Sequence, residues 1–252
     1  MALFISVINH SHDEMICASD TLKTLAKHHT VVVRSNTFPS ESLVAYTSNA
    51  GIELIVGEKP MGFGANNNAV YRFCKEKLNI QPNDYFLVLN PDVDIWPESI
   101  EKLLDLAKTY ESDISAINLY KDAQFTEYDN SIRYYHKLLS PIKSLLGYKR
   151  TDIYNKDDIK EPITIEWAAG SFLLFKSESY EKLKGFDEKY FMYFEDADIC
   201  RRANETGMNV MYFPSVRAVH YASHQNRKFM SKHFIWYASS LWRYHFKNQL
   251  AH

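Results

Sequence analysis

Cysteine is scarce in this 252-residue chain, which has only Cys17, Cys74 and Cys200. An odd number without a Cys-x-x-Cys spacing excludes a disulfide framework and a zinc knuckle, and fits a reducing cytosol. Glycine and proline are also few, eight of each, while 46% of residues are hydrophobic. Collagen, coiled coil and general disorder are excluded on that balance. No apolar run reaches the ~18 residues that a membrane-spanning helix needs. The N-terminal stretch MALFISVINH lacks the basic region and cleavage site of a secretory signal. The end of the chain lacks acid. After Glu205 none occurs, yet Arg217, Arg227, Lys228, Lys232, Arg243 and Lys247 follow. The formal net charge of −2 thus divides into +6 over residues 206–252 and −8 over the rest. A basic tail on an acidic body points to a polyanionic surface as partner. Nucleic acid is not expected, because no nucleic-acid motif is present.

The first half of the chain alternates two patterns. Leu3–Ile8, Val31–Val33, Ile52–Val56 and Tyr85–Leu89 are short apolar runs bounded by polar turns, as buried strands are. Between and after them lie helical periods. Val70, Phe73 and Cys74 share a face, and Pro97 opens a helix with a stripe of Ile100, Leu103, Leu104 and Ala107. This alternation predicts an α/β fold with a mostly parallel central sheet flanked by helices. Ligands then bind beyond the carboxyl ends of the strands, which singles out the loops Asn9–Glu14, Pro60–Asn68 and Asn90–Trp96. Residues 121–162 break the rhythm and are expected to be a helical or loop insertion rather than a separate domain. Ile163–Trp167 and Ser171–Phe175 are further strand candidates. A helix should start at Glu195–Asp196 and end at Gly207, a position suited to a left-handed cap.

Four groups of residues could carry chemistry. Asn90-Pro91-Asp92-Val93-Asp94 follows a strand, where a carboxylate can hold a hard divalent ion, although these are also turn residues. Gly62-Phe63-Gly64-Ala65-Asn66-Asn67-Asn68 precedes a helix, but it matches no phosphate-loop fingerprint. Glu195-Asp196-Ala197-Asp198 places three acids in a first helical turn. There the helix dipole alone can account for them, or one can serve as a general base. His220 becomes a ligand candidate if the fold brings it to Asp92.

In order and spacing, these pieces together resemble the inverting family 2 glycosyltransferases of the GT-A fold. The resemblance rests on Gly62-Phe63 with Asn67-Asn68, Asn90-Pro91-Asp92, Trp167-Ala168-Ala169-Gly170-Ser171, Glu195-Asp196 and His220, and it spans residues 3–225. Within that family, Gly185-Phe186-Asp187, Tyr190-Phe191-Met192-Tyr193 and His220-Tyr221-Ala222 with His224 and Asn226-Arg227 look like the bacterial O-antigen rhamnosyltransferases. The resemblance implies transfer of L-rhamnose from dTDP-rhamnose to a lipid-linked glycan at the cytoplasmic face of the membrane. It also implies Mg²⁺ or Mn²⁺ held by Asp92, His220 and Asn90, with Asp196 as base and Glu195 orienting the acceptor. Asn9, Ser35, Gly62, Phe63, Asn67, Asn90 and Asp92 would then serve the nucleotide sugar, and Trp167 and Gly170 the acceptor. Two positions depart from the family pattern. Asn90 stands where Asp is common in the metal motif. Arg34-Ser35-Asn36 stands where an acidic base contact is usual, which leaves a UDP-sugar such as UDP-galactose open as donor. A sugar nucleotidyltransferase would need a basic diphosphate loop that Asn9–Glu14 lacks. A non-catalytic sugar-binding module would have little use for Asp92, Asp196 and His220 together.

The tail, residues 226–252, is expected to be a basic aromatic helix. Phe229, His233, Trp236, Tyr237 and Ser240 fall at helical spacing, with Trp242, Tyr244 and Phe246 beyond. Such a face either lies on an anionic membrane or packs on the protein.

Overall fold

The computed structural model describes residues 1–135, 152–221 and 232–246. Residues 136–151 of the expected insertion, and Ala222, His224, Asn226-Arg227, Lys228, Phe229 and Lys247, lie outside the described residues. The strands in chain order are β1 (Leu3–Asn9), β2 (Thr30–Ser35), β3 (Glu53–Val56), β4 (Tyr85–Leu89), β5 (Val93–Asp94) and β6 (Ile114–Tyr120). They continue with β7 (Ile132–Arg133), β8 (Ile163–Thr164), β9 (Trp167–Ala168), β10 (Phe172–Lys176) and β11 (Val210–His220). The helices are α1 (Asp13–Ala18), α2 (Thr21–Leu25), α3 (Glu41–Ala50), α4 (Phe63–Lys77), α5 (Pro97–Thr109), α6 (Ser177–Lys182), α7 (Glu195–Glu205) and α8 (Lys232–Phe246).

The main sheet has the order β3-β2-β1-β4-β10-β6-β11-β5, with β8 on β11. The strands β3, β2, β1, β4, β6 and β11 run one way, against β10, β5 and β8. The mostly parallel sheet expected from the sequence is therefore present. The central strand β4 shows why its sequence YFLVL is apolar throughout. Phe86 and Val88 enter one buried cluster, with Tyr71, Tyr180 and Ala197 from α4, α6 and α7. Tyr85, Leu87 and Leu89 enter a second cluster on the opposite face, with Ile16, Leu43 and Leu103 from α1, α3 and α5. Alternate side chains of a strand face opposite ways, so helices on both faces require an apolar residue at every position.

Local signals place several boundaries. Pro97 opens α5, whose Ile100, Leu103 and Ala107 are buried. The helix α7 gives way to Gly207 at φ +81°, the left-handed residue expected there. Of the helical or loop insertion expected after β6, Lys156–Asp158 form a short 3₁₀ turn, and the part next to β6 is a tight turn closed by a Tyr120–Tyr128 antiparallel bridge. The carboxylate of Asp122 accepts the Thr126 and Glu127 amides in that turn. The strands β7 and β9 then pair as a small second sheet.

Among the described residues, no helix is long and apolar enough to cross a membrane. The aromatic face of α8 packs on protein. Trp236 lies 4.5 Å from Phe191 between ring centroids, Tyr237 and Tyr244 each lie 5.4 Å from Phe194, and the Ser240 hydroxyl donates to the Met192 carbonyl. Trp236, Tyr237, Ser240 and Tyr244 of that face thus pack on the protein, whereas Trp242 is exposed.

Candidate active site

The carboxyl ends of β1, β2 and β4 meet the amino ends of α4, α7 and β10. Two acid-bearing clusters face each other there, joined through Gly170 and Ser171. The Gly170 amide donates to Asp196 Oδ2 at 3.1 Å, and the Ser171 carbonyl accepts the Asn90 amide at 2.9 Å.

The first cluster opens α7. Tyr193 and Phe194 precede it with φ of +72° and +68°. Left-handed backbone in two adjacent non-glycine residues costs on the order of 1 kcal/mol each and persists only where packing enforces it. That packing comes from α8, since Tyr237 and Tyr244 cover Phe194 while Tyr193 reaches His233. The two acids that follow have different surroundings. Glu195 is 6% exposed, and its Oε2 is buried without a hydrogen-bond donor. Burial, aided by the neighbouring Asp196 charge, pushes its carboxyl up to about 8. Asp196 is less enclosed. Its Oδ1 accepts the Ala197 amide at 2.8 Å, and its Oδ2 accepts Gly170. Burial raises its pKa as well, against the opposing pull of those amides. Asp198 is spoken for structurally by Arg202 Nε at 2.8 Å.

The second cluster forms because β5 and β11 pair antiparallel, His220 opposite Val93. His220 Nε2 lies 3.4 Å from Asp92 Oδ1, a buried oxygen that receives no hydrogen bond. On its other side, Nδ1 donates to Asp129 Oδ2 at 2.5 Å. Burial alone would lower the His220 pKa, but the two carboxylates outweigh it and raise it to about 9. Burial would raise both aspartates, and the imidazolium reverses that, holding them below the usual carboxylate range. A buried carboxylate oxygen without a donor, facing an imidazole nitrogen, suits a divalent cation. Asp92 and His220 therefore fit the expected ion. Asn90 lies two residues from Asp92, in a turn that Val93 N closes onto its carbonyl at 3.2 Å. Asp94 does not join the site, because it accepts Thr21 Oγ1 at 2.7 Å.

Several residues expected to touch ligand build the walls instead. Asn67 is fully buried, with its amide between Ser6 Oγ and the Phe63 carbonyl. Asn9 and Ser35 are also fully buried and bond each other at 2.9 Å, Asn9 holding Asp13 besides. Gly62 is closed over by Phe191, whose carbonyl oxygen would stand 2.4 Å from any added Cβ. At these four positions the side chains, or the space a side chain would take, are turned into the protein and help to shape the loops. Phe63 stays partly open and fills the space beside Gly170, where an added Cβ would stand 3.0 Å from its ring. Trp167 is 3% exposed and donates from its indole to the Tyr134 carbonyl, with the Arg133 guanidinium 5.2 Å from its ring centroid. Its ring is therefore enclosed by the protein, close to Gly170 in sequence.

Sequence reasoning missed Asp129, Arg133 and Lys156. Arg133 lies over the Trp167 ring, and its charge lowers the pKa of both Asp129 and Asp196. Lys156 is 5% exposed and donates to the Leu119 carbonyl and Ser131 Oγ, and burial drops its pKa to about 7. The only signal available was the density of Tyr, Lys and Asp in a stretch without a period.

With this geometry in place, similarity to known proteins becomes decisive. The chain is 33% identical to the rhamnosyltransferase WbbL of Escherichia coli K12 over 247 residues, covering 96% of this chain and 92% of that one. It belongs to the family 2 glycosyltransferases. A second relative, the N-acetylglucosaminyl-diphospho-decaprenol L-rhamnosyltransferase of Mycobacterium tuberculosis H37Rv, is 30% identical over 60% of this chain and 51% of its own length. A family model described as the N-terminal domain of galactosyltransferase matches residues 154–227 of this glycosyltransferase. Its fold resembles that of GalNAc-T7 solved with UDP, GalNAc and Mn²⁺, with a TM-score of 0.64, 12% identity, and coverage of 96% of this chain and 47% of that one. The fold is thus GT-A, and the chain is a glycosyltransferase.

Proposed function

We propose that this glycosyltransferase transfers L-rhamnose from dTDP-rhamnose, with inversion, to a lipid-linked glycan during cell-surface polysaccharide (O-antigen) synthesis. The observation that carries the chemistry is Asp196, a carboxylate of raised basicity held by two backbone amides at the junction of the clusters. The acceptor hydroxyl oxygen forms its bond to the anomeric carbon as the bond from that carbon to phosphate breaks. Its proton passes to the Asp196 carboxylate, and dTDP leaves. Glu195, pressed into the protein behind it, is protonated near neutral pH and adds little charge to oppose this step. Asp92 and His220, with the Asn90 amide oxygen, would hold Mg²⁺ or Mn²⁺, which supplies charge to offset the leaving diphosphate. Gly170 lets Phe63 and Asp196 approach the same space. The names of the two rhamnosyltransferase relatives support the donor sugar, and the decaprenol-linked one supports a lipid-linked acceptor. The direct test is slow donor hydrolysis without acceptor, comparing dTDP-rhamnose with UDP-galactose and UDP-N-acetylglucosamine. Preference for dTDP-rhamnose is expected, and preference for a UDP-sugar overturns the donor assignment.

A cytoplasmic protein acting on a lipid-linked acceptor has to work at the inner face of the membrane. With the inner face of α8 packed, its opposite side offers Ile235 at 65% and Trp242 at 60% exposure. An apolar stripe in an acid-free, +6 region suits an anionic bilayer surface. An Ile235→Ser, Trp242→Ser double variant should lose co-sedimentation with phosphatidylglycerol vesicles at low salt. Unchanged sedimentation removes this surface from the proposal.

A further inference from the structure

We infer that Asp129 is the positioning residue of the cation site, orienting His220 so that Nε2 faces Asp92. The inference rests on the reading that Asp92 and His220 hold the divalent ion, and it assigns a purpose to the turn after β6.

A carboxylate can only accept, so the 2.5 Å contact makes His220 Nδ1 the protonated nitrogen. In the neutral imidazole that a cation requires, the binding lone pair is then on Nε2, the nitrogen 3.4 Å from Asp92 Oδ1. Ligating histidines are commonly held this way, with the far N–H given to a carboxylate that sets the tautomer and raises ligand basicity. Asp129 is itself rigidly placed. Its amide donates to the Leu119 carbonyl at 3.0 Å, beside the Tyr120–Tyr128 bridge. Lys156 anchors the same turn from below. Its ammonium holds the Leu119 carbonyl and Ser131 Oγ, with the Tyr128 and Tyr212 rings 5.7 and 5.9 Å away. The side chains of Asp129 and His220 are 16% and 13% exposed, so water competes little for their bond. Without Asp129 the imidazole could take either tautomer and rotate, and its cation-binding lone pair would be shared between orientations.

The test is Mn²⁺ affinity of the full chain, read from the electron paramagnetic resonance signal of free Mn²⁺, with and without dTDP. Asp129→Asn keeps the size and removes the charge, and should weaken Mn²⁺ binding by about 10–100-fold. Asp129→Glu should recover part of that loss. In turnover, the Mn²⁺ concentration for half-maximal rate should rise in Asp129→Asn, while kcat at saturating Mn²⁺ stays near that of the parent. A merely structural residue would lower the melting temperature without that split. Asp92→Ala separates the two levels of the argument. Wild-type Mn²⁺ affinity in Asp129→Asn, with affinity lost in Asp92→Ala, overturns the positioning role alone. Retained affinity in Asp92→Ala overturns the cation site and the positioning role with it.

Discussion

The two acid clusters of this glycosyltransferase are built from the same side chains to opposite ends. At the start of α7, Glu195 and Asp196 are adjacent carboxylates enclosed together, with backbone amides as the partners of Asp196. Their pKa values rise, the glutamate to about 8. At the β5–β11 junction, Asp92 and Asp129 flank an imidazole, and their pKa values fall while that of His220 rises to about 9. The first arrangement favours taking up a proton, and the second favours holding positive charge. Burial pushes carboxyls up in both, so the difference lies in whether a cation stands between the acids.

The comparison can be broken most sharply at Asp196. Asp196→Asn should lower kcat by about 10²–10⁴-fold while dTDP binding, followed calorimetrically, persists. Near-normal turnover would move the base to Glu195 or elsewhere. Next comes the cation site. EDTA should abolish turnover and added Mn²⁺ or Mg²⁺ should restore it, and full activity in chelator refutes the metal role of Asp92 and His220.

A third experiment uses the direction of the Glu195 shift. A carboxyl raised in the folded state binds a proton that the unfolded chain has released. Its stabilising effect is complete below the unfolded value near 4.5 and is lost as pH rises through about 8. Thermal melts of Glu195→Gln and the parent should therefore diverge from pH 5 to pH 9 in favour of the variant, by a few degrees. Parallel curves would show that the glutamate is not held protonated. The smallest effect is expected at Asp94, close to Asp92 in sequence but bonded to Thr21. Asp94→Asn should leave Mn²⁺ affinity unchanged and cost roughly 1 kcal/mol of stability in urea melts. A tenfold loss of metal affinity would bring Asp94 into the site.

Much of this was legible in the chain. The β1–β4 strands, α5 and its proline, the Gly207 cap and the positions of Asp92, Glu195-Asp196 and His220 all follow from period, turn chemistry and family resemblance. Residue type does not reveal where a polar side chain is bonded within the protein. Asn67 and Asn9 look like ligand contacts in a loop, yet each is fully buried and satisfied internally. The burial of Trp167 under Arg133 was likewise not legible from its residue type.

What the sequence by itself determined is whatever is local: a strand with two apolar faces, a helix with a start and a stop, and acids waiting at a first turn. Tertiary structure decided which of those acids meet a cation. Asp92, Asp129 and His220 are tens of residues apart and converge only because β11 lies between β5 and β6. No periodicity encodes that encounter. A charge's properties depend on what burial leaves beside it, so the same carboxyl is raised at position 196 and lowered at position 92.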